Sequence, residues 1–216
     1  MVAHRAKMLF WQEAATISDL KASLDMDNIS ITSTDTILGF LGRLTEKTFE
    51  TLNMIKGGRS DKPYLILIGS SQKLPAFVDV TALSADVKKI IAACWPGPLT
   101  IVFRAKPGMP KYLISKDGTI AMRCPRHEGL QKLLSLVDGL FSTSANKSAQ
   151  TPPQTIKEID AQLLPHIDYL VVDYKEAQAQ VPSTMIDVSG PHIKVLRAGA
   201  YSVEKMEQLS GVVLPR

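Results

Sequence analysis

Apolar positions change period several times along the chain, and the changes mark out its elements. Met8-Leu-Phe-Trp11 is a short apolar piece, and the mixed segment over Ile17–Leu24 has helical spacing. Ile29-Ser-Ile-Thr32 alternates as a half-buried strand does and runs into a hydroxyl-rich turn, Ser33-Thr-Asp-Thr-Ile-Leu-Gly39. Thr45 is a good N-cap for a helix to Ile55, with Phe49, Leu52 and Ile55 on one stripe. The apolar run Tyr64-Leu-Ile-Leu-Ile68 predicts a strand, and Ser84–Cys94 predicts a helix stopped by Trp95-Pro-Gly-Pro98. Strands are then expected at Leu99–Phe103 and Thr119–Arg123, with a Pro/Gly loop from Lys106 to Asp117 between them. A helix around Gly129–Leu136 and a short strand at Leu140–Ser142 follow, then the turn Thr143-Ser-Ala-Asn-Lys-Ser148.

Thr155 is positioned to cap a helix running to Leu164, and Tyr169-Leu-Val-Val-Asp173 reads as a strand. The chain closes with strand patterns at Ser183–Val188 and His192–Arg197 and a helix from Ser202. Strands and helices intermix without strict βαβ alternation. That predicts an α/β or α+β chain built on a single twisted, open, mixed sheet with helices packed on it. No repeat, low-complexity tract or Gly/Ser linker divides the 216 residues, so one domain over 1–216 is expected.

Composition narrows the function classes. A hydrophobic fraction of 45% supplies a sizeable core. The formal charge of +4 suits anionic small molecules or RNA and selects neither. Cys94 and Cys124 have neither C-x-x-C nor zinc-ligand spacing, which favours a reduced, cytoplasmic protein over a disulfide scaffold. No apolar run approaches the roughly 18 residues of a membrane span, and residues 1–15 lack a signal-peptide core.

The densest chemistry lies in Lys56-Gly-Gly-Arg-Ser-Asp-Lys62-Pro63. Its glycines permit positive φ and uncovered N–H groups, and Lys56, Arg59 and Lys62 supply three cations, an anion-binding composition. Taken alone it reads first as a solvated turn, and it is the other turns along the chain that favour anion binding. Three hydroxyl- or amide-rich turns accompany it at strand ends, where open sheets gather ligands: Ser33–Thr36, Ser142–Asn146 and Pro182–Thr184. Arg123 and Arg197 also stand at strand ends. Asp35 and Asp187 are read as turn braces, and the four histidines give no metal-ligand spacing. G-x-S-x-G, Walker and H-E-x-x-H motifs are absent. What remains is a site that positions reactants and neutralises charge without a covalent nucleophile, as nucleotidyl transfer requires.

The ordered set Ser33-Thr-Asp-Thr36, Lys56-x-x-Arg59, Trp95-Pro-Gly-Pro-Leu-Thr100, Met122-Arg-Cys-Pro125, Ser142-Thr-Ser-Ala-Asn146, Pro182-Ser-Thr184 and Leu196-Arg-Ala-Gly199 resembles the YrdC-like family, the threonylcarbamoyl-AMP synthases. The resemblance spans about residues 20–205 and is to the short, single-domain form. It implies a twisted open sheet around a basic cavity. It further implies condensation of L-threonine, bicarbonate or CO2 and ATP to threonylcarbamoyl-adenylate and pyrophosphate. The adenylate would then serve a downstream transferase complex that modifies adenosine 37 of tRNA. By that resemblance Lys56 and Arg59 hold phosphates, with Lys62 a further phosphate ligand. Ser142, Ser144 and Asn146 contact the nucleotide. Thr34, Arg123 and Ser183 hold threonine or its carbamate, Arg197 closes on the nucleotide, and Mg2+ arrives with ATP. Lys56, Arg59, Ser144 and Asn146 are the expected catalytic set.

The chain departs from the family pattern in several places. Ser33 stands for a proline, Leu38 for a tyrosine, and Lys56-Gly-Gly-Arg59 for a Lys-x-Arg pair; Ala149 follows Lys147-Ser148 where a Ser-Gly is common. The first two are expected to alter one wall of the pocket. These departures leave a second class open, a YrdC-like paralogue that binds nucleotide or double-stranded RNA without making the adenylate. A carbamoyl-transfer domain of the hydrogenase-maturation type is a third.

Overall fold

A computed structural model describes residues 6–58, 64–175 and 181–215. Ten strands among them form one mixed sheet: β1 (Lys7–Phe10), β2 (Ser30–Thr32), β3 (Gly39–Arg43), β4 (Leu65–Leu67), β5 (Leu99–Arg104), β6 (Thr119–Arg123), β7 (Leu140–Ser144), β8 (Tyr169–Val172), β9 (Thr184–Asp187) and β10 (Lys194–Arg197). Their order is β1-β8-β2-β3-β7-β4-β6-β5-β9-β10. Neighbours run parallel in the pairs β1/β8, β8/β2, β4/β6 and β5/β9 and antiparallel elsewhere. The helices are α1 (Thr16–Asp25), α2 (Glu46–Ile55), α3 (Ala85–Cys94), α4 (Glu128–Ser135) and α5 (Val203–Ser210).

Local chemistry explains the helix starts. Thr45, Ser84 and Ser202 adopt extended backbone and accept from the N–H three residues on, at 3.2, 3.3 and 3.1 Å, satisfying donors the helix leaves orphaned. α4 is capped by an imidazole: His127 Nδ1 accepts from Leu130 N at 3.2 Å. The core divides by sheet face. Ile31, Phe40, Ile66, Met122, Ile101 and Ile186 occupy adjacent registers across six strands and join the larger cluster with buried residues of α2, α3 and α5. Leu41, Leu67 and Leu140 project from the alternate registers into a smaller cluster with α1, α4 and Trp11. On those same registers Ser142, Arg123, Thr100 and Met185 continue as the lining of a cavity.

The mixed sheet expected from the sequence is present, and three local readings change. Met8–Trp11 supplies an edge strand, β1, paired along β8. β3, flanked by glycines in Gly39-Phe-Leu-Gly-Arg43, has no counterpart in the sequence reading. The helix expected from Thr155 to Leu164 is not formed. Short 3-10 turns at Ile156–Glu158 and Leu164–His166 replace it. Side chains there take the backbone donors a helix would use. Glu158 Oε2 accepts from Gln154 N at 2.9 Å, and Asp160 Oδ1 from Gln162 N at 2.9 Å, an Asx-type turn that closes before a second helical turn can form. No helix among the described residues is long and apolar enough to cross a membrane.

Candidate active site

Four sequence-distant turns converge on one cavity of about 460 Å3. The turn after β2 contributes Thr34 and Thr36, and the C-cap of α2 contributes Lys56. β6 and β7 contribute Arg123, Ser142 and Ser144, and Asn146 follows on the next turn. Ser183 enters just before β9 and Arg197 closes β10. Every predicted site residue within the described chain therefore lines the same space; Arg59 and Lys62 lie outside the described residues.

Arg123 is 3% exposed and its guanidinium is fully occupied with protein groups on one side. Nη1 donates to Thr36 Oγ1 at 2.7 Å, Nε to Gly97 O at 3.2 Å, and Nη2 to Asp35 Oδ1 in a buried ion pair. Asp35 Oδ2 accepts from Arg126 N at 2.8 Å. Asp35 thus braces the Arg123 segment across the cavity wall, where a brace within its own turn was expected. Asp187 does brace its own turn, accepting from Ser189 N at 2.8 Å. Burial pulls the Arg123 pKa below the ordinary guanidinium value, and the Asp35 carboxylate opposes that pull.

Arg197 has no carboxylate partner among the described residues. Nε and Nη2 donate to Ser183 O at 3.2 and 2.9 Å, and Nη2 also reaches Ser183 Oγ at 3.2 Å. Ser183 Oγ in turn lies 2.8 Å from Thr100 Oγ1. Burial, and then the nearby Arg123 charge, lower the Arg197 pKa. Gly199 lets this corner close: a Cβ there would stand 2.3 Å from Pro182 O and 2.5 Å from Thr184 N.

Lys56 is buried at the other side of the site. Nζ donates to Ser144 O at 2.9 Å and Asn146 O at 2.8 Å, with Asn146 Oδ1 at 3.5 Å, and the Lys56 carbonyl accepts from Ser148 N at 3.0 Å. The α2 C-cap is thereby stitched to the turn after β7. Burial lowers the Lys56 pKa from 10.5 to about 8. Gly57 and Gly58, at φ of 83° and 137°, turn the chain away from the helix in conformations that L side chains resist.

Thr36, Thr100 and Tyr64 also line the cavity; Thr36 and Thr100 stand in the motifs quoted from the sequence, but none of the three was given a site role there. A lone hydroxyl inside the apolar run Leu99-Thr-Ile-Val-Phe103 was the available signal for Thr100. The two substitutions expected to alter the pocket wall lie elsewhere. Leu38 is buried in the larger core cluster, and Ser33 Oγ turns to Trp11 and Asp173. Burial raises the Cys94 and Cys124 thiols above their ordinary pKa, which keeps both protonated at neutral pH. The arrangement can hold an anionic, hydroxyl-bearing ligand between cations and strand-end donors.

The family model Sua5/YciO/YrdC, described as "Telomere recombination", matches residues 22–199. A Methanocaldococcus jannaschii protein named "Putative threonylcarbamoyl-AMP synthase" is 35% identical over 188 residues, 87% of each chain. The crystal structure of P. abyssi Sua5 complexed with L-threonine superposes with a TM-score of 0.85 at 24% identity. It covers 97% of this chain, which spans 62% of that one. E. coli YciO superposes at 0.79 with 19% identity, covering 93% and 99%. With the matched region running from α1 through the Arg197 corner of the cavity, the chain belongs to the Sua5/YciO/YrdC family.

Proposed function

We propose that this chain is a threonylcarbamoyl-AMP synthase, condensing L-threonine, bicarbonate or CO2 and ATP to threonylcarbamoyl-adenylate and pyrophosphate. The observation that carries the reading is the convergence of Thr34, Lys56, Arg123, Ser142–Asn146, Ser183 and Arg197 on one cavity, in a chain 35% identical to a protein bearing that name. The threonine carboxylate sits against Arg197 and Ser183, with Thr34 beside it. The nucleotide lies along Ser142, Ser144 and Asn146, and its phosphates meet Lys56 together with Arg59 and Lys62. The threonine nitrogen takes up CO2 as a carbamate, whose oxygen attacks the α-phosphorus as pyrophosphate leaves. Charge neutralisation of the leaving group is the main contribution asked of the protein.

Among the described residues no group of three or more His, Cys, Asp or Glu forms a metal-ligand set. We assign Mg2+ to the ATP phosphates, entering with the nucleotide. The adenylate is consumed by a transferase complex acting on tRNA in the cytoplasm. The test is pyrophosphate release with ATP, Mg2+ and bicarbonate, with and without L-threonine, alongside mass detection of the adenylate. Threonine-dependent release with that product is expected. Nucleotide or RNA binding without release overturns the reading in favour of a binding paralogue.

A further inference from the structure

One carboxylate outside the cavity joins three elements, and the reaction above gives it no task. Asp173, just beyond β8, accepts on Oδ2 from Ser33 Oγ at 2.7 Å and from His127 Nε2 at 3.1 Å. Its Oδ1 accepts from Gln12 Nε2 at 2.9 Å. Ser33 Oγ also accepts from Trp11 Nε1 at 3.1 Å, so its single proton is committed to Asp173. His127 Nδ1 is already the acceptor that caps α4, which leaves Nε2 as the nitrogen carrying the proton toward Asp173. Ser33 and Trp11 are each 6% exposed.

The two segments tied by Asp173 both contribute to the lining of the cavity. Ser33 precedes Thr34 and Thr36, and His127 follows Arg123 and Pro125, all four of which line it. Asp35 joins the same two segments through Arg123 and Arg126 N. One link is inside the turn that carries the site; the other is anchored in a strand end that carries none of it. Burial pushes the Asp173 carboxyl up, and the hydrogen bonds from His127 and Ser33 outweigh this and hold it below the usual carboxylate value.

We propose that Asp173 is a positioning residue, which through Ser33 and His127 sets the separation between the Thr34–Thr36 turn and the Arg123–Pro125 segment and so shapes the threonine seat. The proposal rests on the synthase reading for its substrate and on geometry alone for the link. Asp173 touches no reactant. Its effect is confined to the wall it spaces, which makes it separable from general stabilisation.

The experiment compares wild type with Asp173→Asn, Ser33→Ala, the double variant and Gln12→Ala. Steady-state rates are measured against threonine and against ATP, and backbone amide spectra are taken without ligand. In Asp173→Asn and Ser33→Ala the KM for threonine is expected to rise about tenfold or more, because small misplacements at a reacting centre are costly. The KM for ATP stays within about twofold. The double variant is no worse than the worse single variant, because both break one link. Gln12→Ala, which removes the tie to the other carboxylate oxygen and an acceptor for Tyr174 N but leaves Ser33 and His127 on Asp173, keeps the wild-type KM for threonine. Amide signals of residues 34–36 and 123–127 shift together in Asp173→Asn.

Unchanged threonine KM in a folded variant overturns the proposal, as do equal rises for both substrates or losses that add in the double variant. Should Asp173→Asn not fold, Ser33→Ala decides by the same criteria. If wild-type protein shows no threonine-dependent release, the synthase reading fails. The amide spectra still decide the link: shifts confined to residues near 173 alone refute it.

Discussion

Asp35→Asn isolates the charge of the buried Arg123–Asp35 pair with almost no change of shape. The amide keeps an oxygen for Arg126 N, so the loss is electrostatic. Arg123 is 4% exposed in its side chain and Asp35 12%, and Arg197 lies close enough that the Arg123 charge adds to burial in lowering its pKa. Removing the carboxylate leaves two neighbouring guanidinium groups uncompensated. Breaking a buried pair costs about 3–5 kcal/mol, and the partial exposure of Asp35 places the expected value near 3. For a chain of this size that lowers Tm by about 6–12 °C, at 2–4 °C per kcal/mol. Urea unfolding of Asp35→Asn, Arg123→Met and the double variant reads the coupling directly. The double variant should be at least about 2 kcal/mol more stable than the sum of the single losses predicts, because it removes the stranded charge. Additive losses, or a loss below about 1 kcal/mol for Asp35→Asn, refute the claim that this pair holds the cavity wall.

Lys56→Ala and Asn146→Ala should each abolish adenylate formation while circular dichroism and gel filtration remain native; turnover like wild type in either removes that residue from the site. Burial sets Lys56 near 8 against an ordinary 10.5, so the ammonium is lost as pH rises through about 8 and kcat/KM for ATP should fall there. Stability runs the other way: between about 8 and 10.5 the unfolded chain binds a proton that folded Lys56 does not, so the destabilisation from burying this ammonium, full below about 8, fades as pH rises. Activity rising through pH 8–9 at saturating threonine contradicts the assignment. Gly199→Ala places a methyl against Pro182 O and Thr184 N, so a stability loss of about 1–3 kcal/mol and weakened threonine binding are expected. Thermal melts with a threonine titration check both, and wild-type values show that the corner can open without cost.

The sheet was legible where alternation was clean and the site where hydroxyls interrupted it. Ser142 and Ser144 sit in a strand-to-turn run whose apolar neighbours fix which face they share, so their convergence with Arg123 follows from register. β3 was not legible because two glycines and a terminal arginine blur a five-residue period, and its place depends on pairing with β7. The false helix at Thr155 had the right cap and apolar spacing; Glu158 and Asp160 decided otherwise by bonding backbone donors with their side chains. Asp173 and Ser33 were invisible as a pair because 140 residues separate them. Only the β2–β8 pairing brings them together.

The cations of the cavity are not equivalent, and the difference tells which of them meets an incoming anion. Arg123 is answered by Asp35 and fixed by Thr36 and Gly97, so a ligand gains little by approaching it. Lys56 and Arg197 instead rest on backbone oxygens of Ser144, Asn146 and Ser183. Neutral carbonyls are weaker partners for a cation than a phosphate or carboxylate, with charge-assisted bonds roughly twice as strong. A ligand anion can therefore draw both side chains from acceptors that belong to the very turns lining its seat. Filling the site would loosen Lys56 from the 144–146 turn and Arg197 from Ser183, exchanging internal ties for ligand ties at the same positions. Arg123, held by a true counterion, stays in place and keeps the wall against which that exchange occurs.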